Sequence, residues 1–183
     1  MPYVYAVTDA AAAPPPTLYP IAEGALAAVV ADHDAPAPTA EALLRHEAVV
    51  ERLMEDGPLL PMRFGSVTPD VNGWLAAEQA RLSAALERVR GAVELGVRAA
   101  DPGPPAASGT EYLMRRAAST ALGDRVHAAL AGLARASVRV PKPPHVGAYL
   151  VDRDAVEGFR ARAGEHEGVV CTGPWPPYSF AAP

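Results

Sequence analysis

The sequence predicts an α+β fold made of two small domains, and three observations predict it. The chain has 183 residues, of which 50% are apolar and 20% charged, a globular composition with room for two small cores. Segments with the two-residue period of strands alternate with segments of helical period. From Ala92 onward their order is β-α-β-β-α-β, typical of a ferredoxin-like antiparallel sheet with two helices on one face. We therefore predict an N-terminal α+β domain over 1–91 and a C-terminal ferredoxin-like domain over 92–183.

The first domain is predicted to be β-β-α-β-α. Tyr3–Thr8 is rich in strand-forming residues, and Gly24–Asp32 reads as a second strand, although its alanines leave a helix open. Pro61 lies in the extended run Leu59–Phe64 and cannot donate a ladder hydrogen bond, so this strand should lie at an edge or bulge. Two helices are predicted, one capped by Thr39 and running to about Met54, the other starting at Thr68-Pro69 and ending near Gly91.

The second domain begins with a strand over Ala92–Ala99, where apolar and polar residues alternate. Two Ser/Asp-x-x-Glu patterns predict capping boxes for its helices, at Ser108 and at Asp154. The remaining predicted elements are strands at Val138–Val140, Val146–Asp152 and Gly168–Thr172, a turn at Pro141–Pro144, and helix ends near Ala134 and at Gly164.

Charge and cysteine content exclude several classes of protein. The net charge of −5 argues against non-specific nucleic-acid binding, which needs a positive field. The single cysteine, Cys171, excludes an intrachain disulfide and a cysteine-built metal site, and it fits a reducing cytosol. No apolar run is long enough for a membrane span, and the N-terminus lacks the basic start of a signal peptide, so neither membrane nor export is expected.

No motif for catalysis, nucleotide binding or metal binding is present, and no cofactor is predicted. His46-Glu47 is the nearest acid/base pair, but adjacent helical residues point about 100° apart. His33 could bind a metal, although a loop residue between two aspartates is favoured. Cys171 is expected to be a buried strand residue, since no cation or helix start is predicted beside it. Arg115-Arg116 could contact an anion, but a solvated helix face is favoured because Glu111 lies four residues earlier.

Two segments concentrate rigid and aromatic residues. Leu59–Gly65 combines a proline, an arginine and a glycine, and Gly173–Phe180 holds three aromatic residues and three prolines. Proline fixes the backbone and aromatic rings supply large contact areas. The second segment therefore either clamps the chain onto its own domain, which is favoured, or presents a rigid edge to a partner. The candidate partner-contact residues are Pro61, Arg63, Phe64, Trp175, Tyr178 and Phe180.

These segments carry a resemblance to the gas vesicle protein F/L family. The opening Tyr3-Val4-Tyr5, the block Leu59 through Val67 and the closing Gly173 through Phe180 are similar to that family, in the same order and over nearly the whole chain. The chain departs from the family at one place: members usually carry a longer insertion around the long helix, whereas the region 109–134 is short here. Supporting matches are His46 with Val49-Val50-Glu51, Val93-Glu94, Tyr112-Leu113 and Ala148 through Val151.

The resemblance implies a non-enzymatic accessory protein of gas vesicle formation in the cytoplasm of a prokaryote. Its implied partners are the hydrophobic major shell protein and other accessory proteins, and it implies no catalytic residues. Two other functions stay open on the residues alone. One is a ferredoxin-like regulatory protein that binds a small molecule between paired sheets, and the other is an enzyme that uses His46, Glu47 and Arg63.

Overall fold

The computed structural model describes residues 1–10, 14–100, 106–140 and 145–181. It is a mixed α+β fold with two antiparallel four-stranded sheets, one in each of two compact units. The first unit is Met1–Gly91 together with the tail from Pro176 onward, and the second is Ala92–Trp175. The sequence-based division placed this tail in the second domain, whereas in the structure its apolar side chains are buried on the first unit.

The sheet of the first unit has the strand order β2-β3-β1-β4. Its strands are β1 (Tyr3–Asp9), β2 (Tyr19–Glu23), β3 (Leu26–Ala31) and β4 (Leu59–Pro61). The sequence left a helix open for the third of these segments, and it is a strand whose six residues are all buried. The short strand that ends at Pro61 lies at the sheet edge, as its missing N–H predicts.

Three helices belong to this unit: α1 (Ala40–Asp56), α2 (Val71–Val89) and the short α5 (Tyr178–Ala181) in the tail. The predicted cap of α1 is confirmed, because the Thr39 hydroxyl accepts a hydrogen bond from the Ala42 N–H at 3.2 Å. The predicted start of α2 is wrong by two residues. Asp70 is the cap, and its carboxylate accepts the Gly73 N–H at 2.9 Å.

The second unit has the element order β-α-β-β-α-β and the sheet order β6-β7-β5-β8. Its strand β5 has the predicted bounds, while the predicted turn at Pro141–Pro144 lies outside the described residues. The elements are β5 (Ala92–Ala99), α3 (Gly109–Leu130), β6 (Ala136–Arg139), β7 (His145–Asp152), α4 (Val156–Gly164) and β8 (Val169–Trp175).

Both helices of the second unit share one core with the sheet. That core joins Leu95 and Tyr149 of the central strands to Val126 and Leu130 of α3 and to Phe159 of α4. No helix among the described residues combines the length and apolar character needed to cross a bilayer.

Only one of the two predicted capping boxes caps a helix. The Ser108 hydroxyl accepts the Glu111 N–H at 3.1 Å, and the Glu111 carboxylate accepts the Ala107 N–H at 2.7 Å. The prediction at Asp154 is wrong, since a 3-10 turn over Arg153–Ala155 leads into α4 and no side chain caps that helix.

Candidate functional site

The segment that follows β4 is held by a chain of hydrogen bonds through Tyr3 and His46. The Gly65 N–H donates to the Tyr3 hydroxyl at 3.1 Å, and that hydroxyl lies 2.8 Å from Nδ1 of His46. Nε2 of His46 lies 3.0 Å from the carbonyl oxygen of Met62. A carbonyl oxygen can only accept, so Nε2 carries a proton. In the neutral ring, which the lowered pKa of His46 favours, Nδ1 accepts from the tyrosine.

Aromatic rings surround the same histidine. The Tyr5 ring stacks on the His46 ring with 5.2 Å between centroids, and the Phe64 ring meets it edge-on at 5.8 Å. Phe64 also contacts the Tyr3 ring at 6.3 Å. Phe64 is thus part of this packed ring cluster, whereas the neighbouring Arg63 is exposed.

Burial sets the titration behaviour of this cluster. It lowers the pKa of His46, an effect that the hydrogen bond to the Met62 carbonyl partly opposes, and it raises the pKa of Tyr3 and of Tyr5. All three shifts favour the uncharged side chain. The cluster is therefore neutral at pH 7.

Among the described residues, no hydrogen bond or ion pair joins the three residues considered for an enzyme, which are His46, Glu47 and Arg63. Both ring nitrogens of His46 are engaged in the hydrogen bonds above. Glu47 lies beside Tyr178, and partial burial, with the charge of Glu51, raises the pKa of its carboxyl. Burial and the Glu47 charge in turn raise the pKa of Tyr178, whose buried hydroxyl lies beside the Glu47 carboxyl.

The closing segment separates into a buried part and an exposed part. Pro176 and Pro177 are buried, and the Phe180 side chain is only 6% exposed. Nη2 of Arg88 donates to the Phe180 carbonyl oxygen at 2.7 Å, which ties α5 to α2. Residues 176–181 are therefore held on the first unit as an intramolecular clamp, and not on the domain over 92–183 to which the sequence assigned them.

Trp175 is the exposed part of the closing segment. It is 43% exposed, and its indole N–H donates to Thr172 Oγ1 at 3.3 Å. It follows the cis peptide bond between Gly173 and Pro174. Of the six candidate contact residues, Arg63 and Trp175 are thus classed as exposed, Pro61 and Phe180 as buried, and Phe64 and Tyr178 as half-buried.

The other candidate residues take structural roles. The His33 ring stacks on Tyr3 with 5.1 Å between centroids, and no metal-binding cluster of acidic, histidine or cysteine side chains occurs among the described residues. Burial raises the pKa of Cys171, the opposite of what a nucleophilic thiol needs. Arg115 pairs with Glu111, and Arg116 Nη1 donates to the Tyr112 hydroxyl at 3.1 Å.

Sequence reasoning missed one surface feature, an exposed apolar triplet at the start of α3. Tyr112, Leu113 and Met114 all face solvent, although each is large and apolar. Their signal was available: three consecutive large apolar residues lie outside the core pattern of Leu122, Val126 and Leu130. Large exposed apolar groups that lie together are typical of protein contact sites.

Comparison with known proteins gives the family and the fold. The model of the family described as "Gas vesicle synthesis protein GvpL/GvpF" matches residues 2–182. Gas vesicle protein F from a Streptomyces species is 32% identical, over 91% of this chain and 89% of the relative. Gas vesicle protein L from the same organism is 34% identical over 78% and 69%, and gas vesicle protein F2 from Halobacterium salinarum is 30% identical over 88% and 79%.

Two crystal structures share the fold. They are the gas vesicle protein GvpF of an Anabaena species and that of Microcystis aeruginosa, each with a TM-score of 0.73 and 16% identity over 100% of this chain. The alignments cover 96% and 99% of those two chains. The family resemblance seen in the sequence is confirmed: the chain belongs to the gas vesicle synthesis protein GvpL/GvpF family.

Proposed function

We propose that this protein is a non-enzymatic accessory protein of gas vesicle assembly, acting in the cytoplasm and at the gas vesicle. Its partners are the gas vesicle major shell protein and other gas vesicle accessory proteins. The observation that carries this proposal is the match of nearly the whole chain to a family described by gas vesicle synthesis. The engagement of both His46 nitrogens in structural hydrogen bonds supports the non-enzymatic part.

A physical need for such a protein follows from the wall of a gas vesicle. One face of the wall borders gas and is apolar, so an unassembled shell subunit exposes apolar surface and aggregates. A partner of net charge −5 that covers this surface keeps the subunit apart from its copies until it joins the wall. This role needs contact area and no reaction.

Arg63 and Trp175 are the residues through which we propose direct contact. Both are exposed, and tryptophan and arginine are the side chains most enriched among residues that dominate binding energy. The other four candidates do not make the direct contact. Pro61 and Phe64 fix the segment that carries Arg63, and Tyr178 and Phe180 fix the tail that follows Trp175. Their own burial removes them from direct contact, except for the exposed edges of Phe64 and Tyr178.

We also infer that the second unit, 92–175, is a modified ferredoxin-like domain. Its β-α-β-β-α-β order and its strand order β6-β7-β5-β8 support this assignment. Both of its helices contribute to one core with the sheet, as expected when they lie on the same face. The N-terminal domain is then 1–91, completed by the tail.

Co-purification with the major shell protein tests the binding function. Trp175→Ala and Arg63→Glu should each lower the recovered shell protein several-fold, because each removes an exposed contact. Tyr19→Ala is the matched control for the tryptophan, since Tyr19 is 40% exposed on the edge strand β2. Arg45→Glu is the control for the arginine, because Arg45 is exposed on α1, where it pairs with Glu41.

The outcomes separate the site from the function. If wild type and both variants recover equal amounts of shell protein, the contact residues are wrong and binding stands. If the wild-type protein recovers neither the shell protein nor another gas vesicle protein, the proposed function is wrong.

A further inference from the structure

The first three turns of α3 do not pack against the hydrophobic core formed by the described residues of the second unit. The helix is buried where Gly123, Val126 and Leu130 face the sheet, but every side chain from 109 to 118 except Glu111 is exposed. Leu113 and Met114 are 65% and 69% exposed. A helix end of this length gains little stability in water without packing, so a packing partner is expected.

A groove runs beside the same helix within the second unit. It has a volume of about 570 Å³ and lies between α3 and the turn over 165–168 that precedes β8. On the helix side it is lined by Ala118, Ser119, Leu122 and Arg125. Ala118 lies one helical turn after Met114, so the exposed methionine continues the line of residues that borders the groove.

Arg125 is a polar residue that lines this groove. It is exposed and makes no hydrogen bond or ion pair with any described residue. Its guanidinium is therefore available to a carboxylate that enters the groove.

The residues along this side of α3 form a pattern that reads the same in both directions. Steps of three, four, four and three residues join Glu111, Met114, Ala118, Leu122 and Arg125. At about 100° per residue, these five lie on one stripe of the helix, to one side of the core-facing stripe. Ala118 is the centre of this pattern. The apolar residues Met114 and Leu122 lie four positions before and after it, and the oppositely charged Glu111 and Arg125 lie seven positions before and after it.

We propose that α3 packs antiparallel against α3 of a second copy of this chain, across a two-fold axis at Ala118. Met114 of each copy then enters the groove of the other beside Leu122. Glu111 of each copy, which pairs with Arg115 of its own chain, also reaches Arg125 in the other. The small Ala118 side chains allow the two helices to approach closely at the axis.

The occupant is a second copy because one stripe supplies both halves of the contact. A two-fold interface requires that residue i meet residue j and j meet i, and the stripe meets this condition in both shape and charge. A different partner would need the complementary sequence by coincidence. The contact area of two helices is small, so we expect a dissociation constant in the micromolar range, on the order of 10 μM. This inference does not depend on gas vesicle binding.

Sedimentation equilibrium of the purified full chain tests the apolar part of the contact. The wild type should change from monomer to dimer as its concentration rises. Met114→Arg should raise the dissociation constant at least tenfold, because it replaces the apolar contact with Leu122 by a charged, bulkier side chain in both grooves. Leu113→Arg is the matched control. It changes an equally exposed neighbour that points about 100° away from the stripe, and it should leave the constant unchanged.

A charge swap tests the polar part. Arg125→Glu alone should weaken the dimer severalfold, because Glu111 then faces a carboxylate in the partner. Adding Glu111→Arg to the same chain restores opposite charges at both ends and should recover the dimer. Circular dichroism verifies that each variant keeps its helix content, since Glu111 also caps α3.

Three results would overturn the proposal. The first is a wild type that stays monomeric up to about 0.5 mM, which is fifty times the expected dissociation constant. The second is an equal rise in the dissociation constant for Leu113→Arg and Met114→Arg. The third is a double charge variant that dimerises no more tightly than Arg125→Glu alone.

Discussion

The Tyr3 hydroxyl donates to Nδ1 of His46, with 2.8 Å between the oxygen and the nitrogen. This bond joins the first strand to the first helix across 43 residues of sequence, and the same hydroxyl accepts the Gly65 N–H. Because Nε2 of the histidine donates to the Met62 carbonyl, the two side chains also fix both ends of the segment that carries Arg63 and Phe64. The exposed arginine is thus presented from a rigid base.

Tyr3→Phe should destabilise the first unit by about 1–3 kcal/mol, because it leaves the Gly65 N–H and Nδ1 of His46 without partners in a buried site. The free energy of unfolding, measured with urea, checks this value. Tyr19→Phe serves as the control, since that tyrosine is exposed. A loss of equal size in both variants would show that the hydrogen bond has no special role.

The stability of the first unit should depend on the protonation of His46. Burial lowers the pKa of this histidine in the folded chain, so between the folded and unfolded pKa values the unfolded chain binds more protons. The stabilising contribution is complete above about pH 6.5, the unfolded value, and declines as the pH falls below it. His127 in the second unit has a lowered pKa as well, through burial and the charge of Arg139, so the described residues include a second such group.

His46→Gln isolates the contribution of His46, because an amide can accept from Tyr3 and donate to Met62 but does not titrate. Unfolding free energies of wild type and variant at pH 7.5 and 5.5 provide the measurement. The loss of stability on acidification should be smaller in the variant. An equal loss in both proteins would contradict the role assigned to this histidine.

The two aromatic residues of the closing segment should differ in their effect on stability. Phe180→Ala removes a buried ring that joins α5 to the first unit and should cost about 3 kcal/mol. Trp175→Ala removes an exposed side chain and should cost less than about 1 kcal/mol. Thermal unfolding of the two variants distinguishes them. A larger loss for the tryptophan would show that the clamp has been assigned to the wrong residue.

The helix caps give a paired prediction within the second unit. Ser108→Ala removes the hydroxyl that accepts the Glu111 N–H and should destabilise this unit by about 1 kcal/mol. Asp154→Ala should change stability by less than about 0.5 kcal/mol, because α4 has no side-chain cap. Unfolding curves of the two variants provide the comparison, and a larger effect at Asp154 would contradict the observed start of α4.

Local signals in the sequence predicted several elements correctly. The alternation in Ala92–Ala99 gave the bounds of β5, and the side chains of Thr39 and Ser108 gave the starts of α1 and α3. These signals suffice because each depends on residues a few positions apart. The strand β2 was missed because it is short, mostly exposed and contains Pro20, so its pattern resembles that of a loop.

Features that depend on distant residues could not be read from the sequence. One example is the set of hydrogen bonds that joins Tyr3, His46 and Gly65. These residues come together only when the sheet packs against α1, and no sequence spacing predicts that they do. The docking of Phe180 on the first unit likewise joins residues more than ninety positions apart, as the bond from Arg88 shows. At Asp154 the capping-box pattern is present, but the residue lies inside a 3-10 turn, and no side chain makes a capping hydrogen bond to α4.

Deletion of the gene in a host that forms gas vesicles, followed by complementation, tests the central claim most directly. The measurement is the amount of major shell protein in intact gas vesicles compared with the amount in aggregates. We expect deletion to move the shell protein into aggregates and the wild-type gene to reverse this, whereas a Trp175→Ala, Arg63→Glu double variant should reverse it only in part. Unchanged yields of gas vesicles in the deletion strain would contradict it.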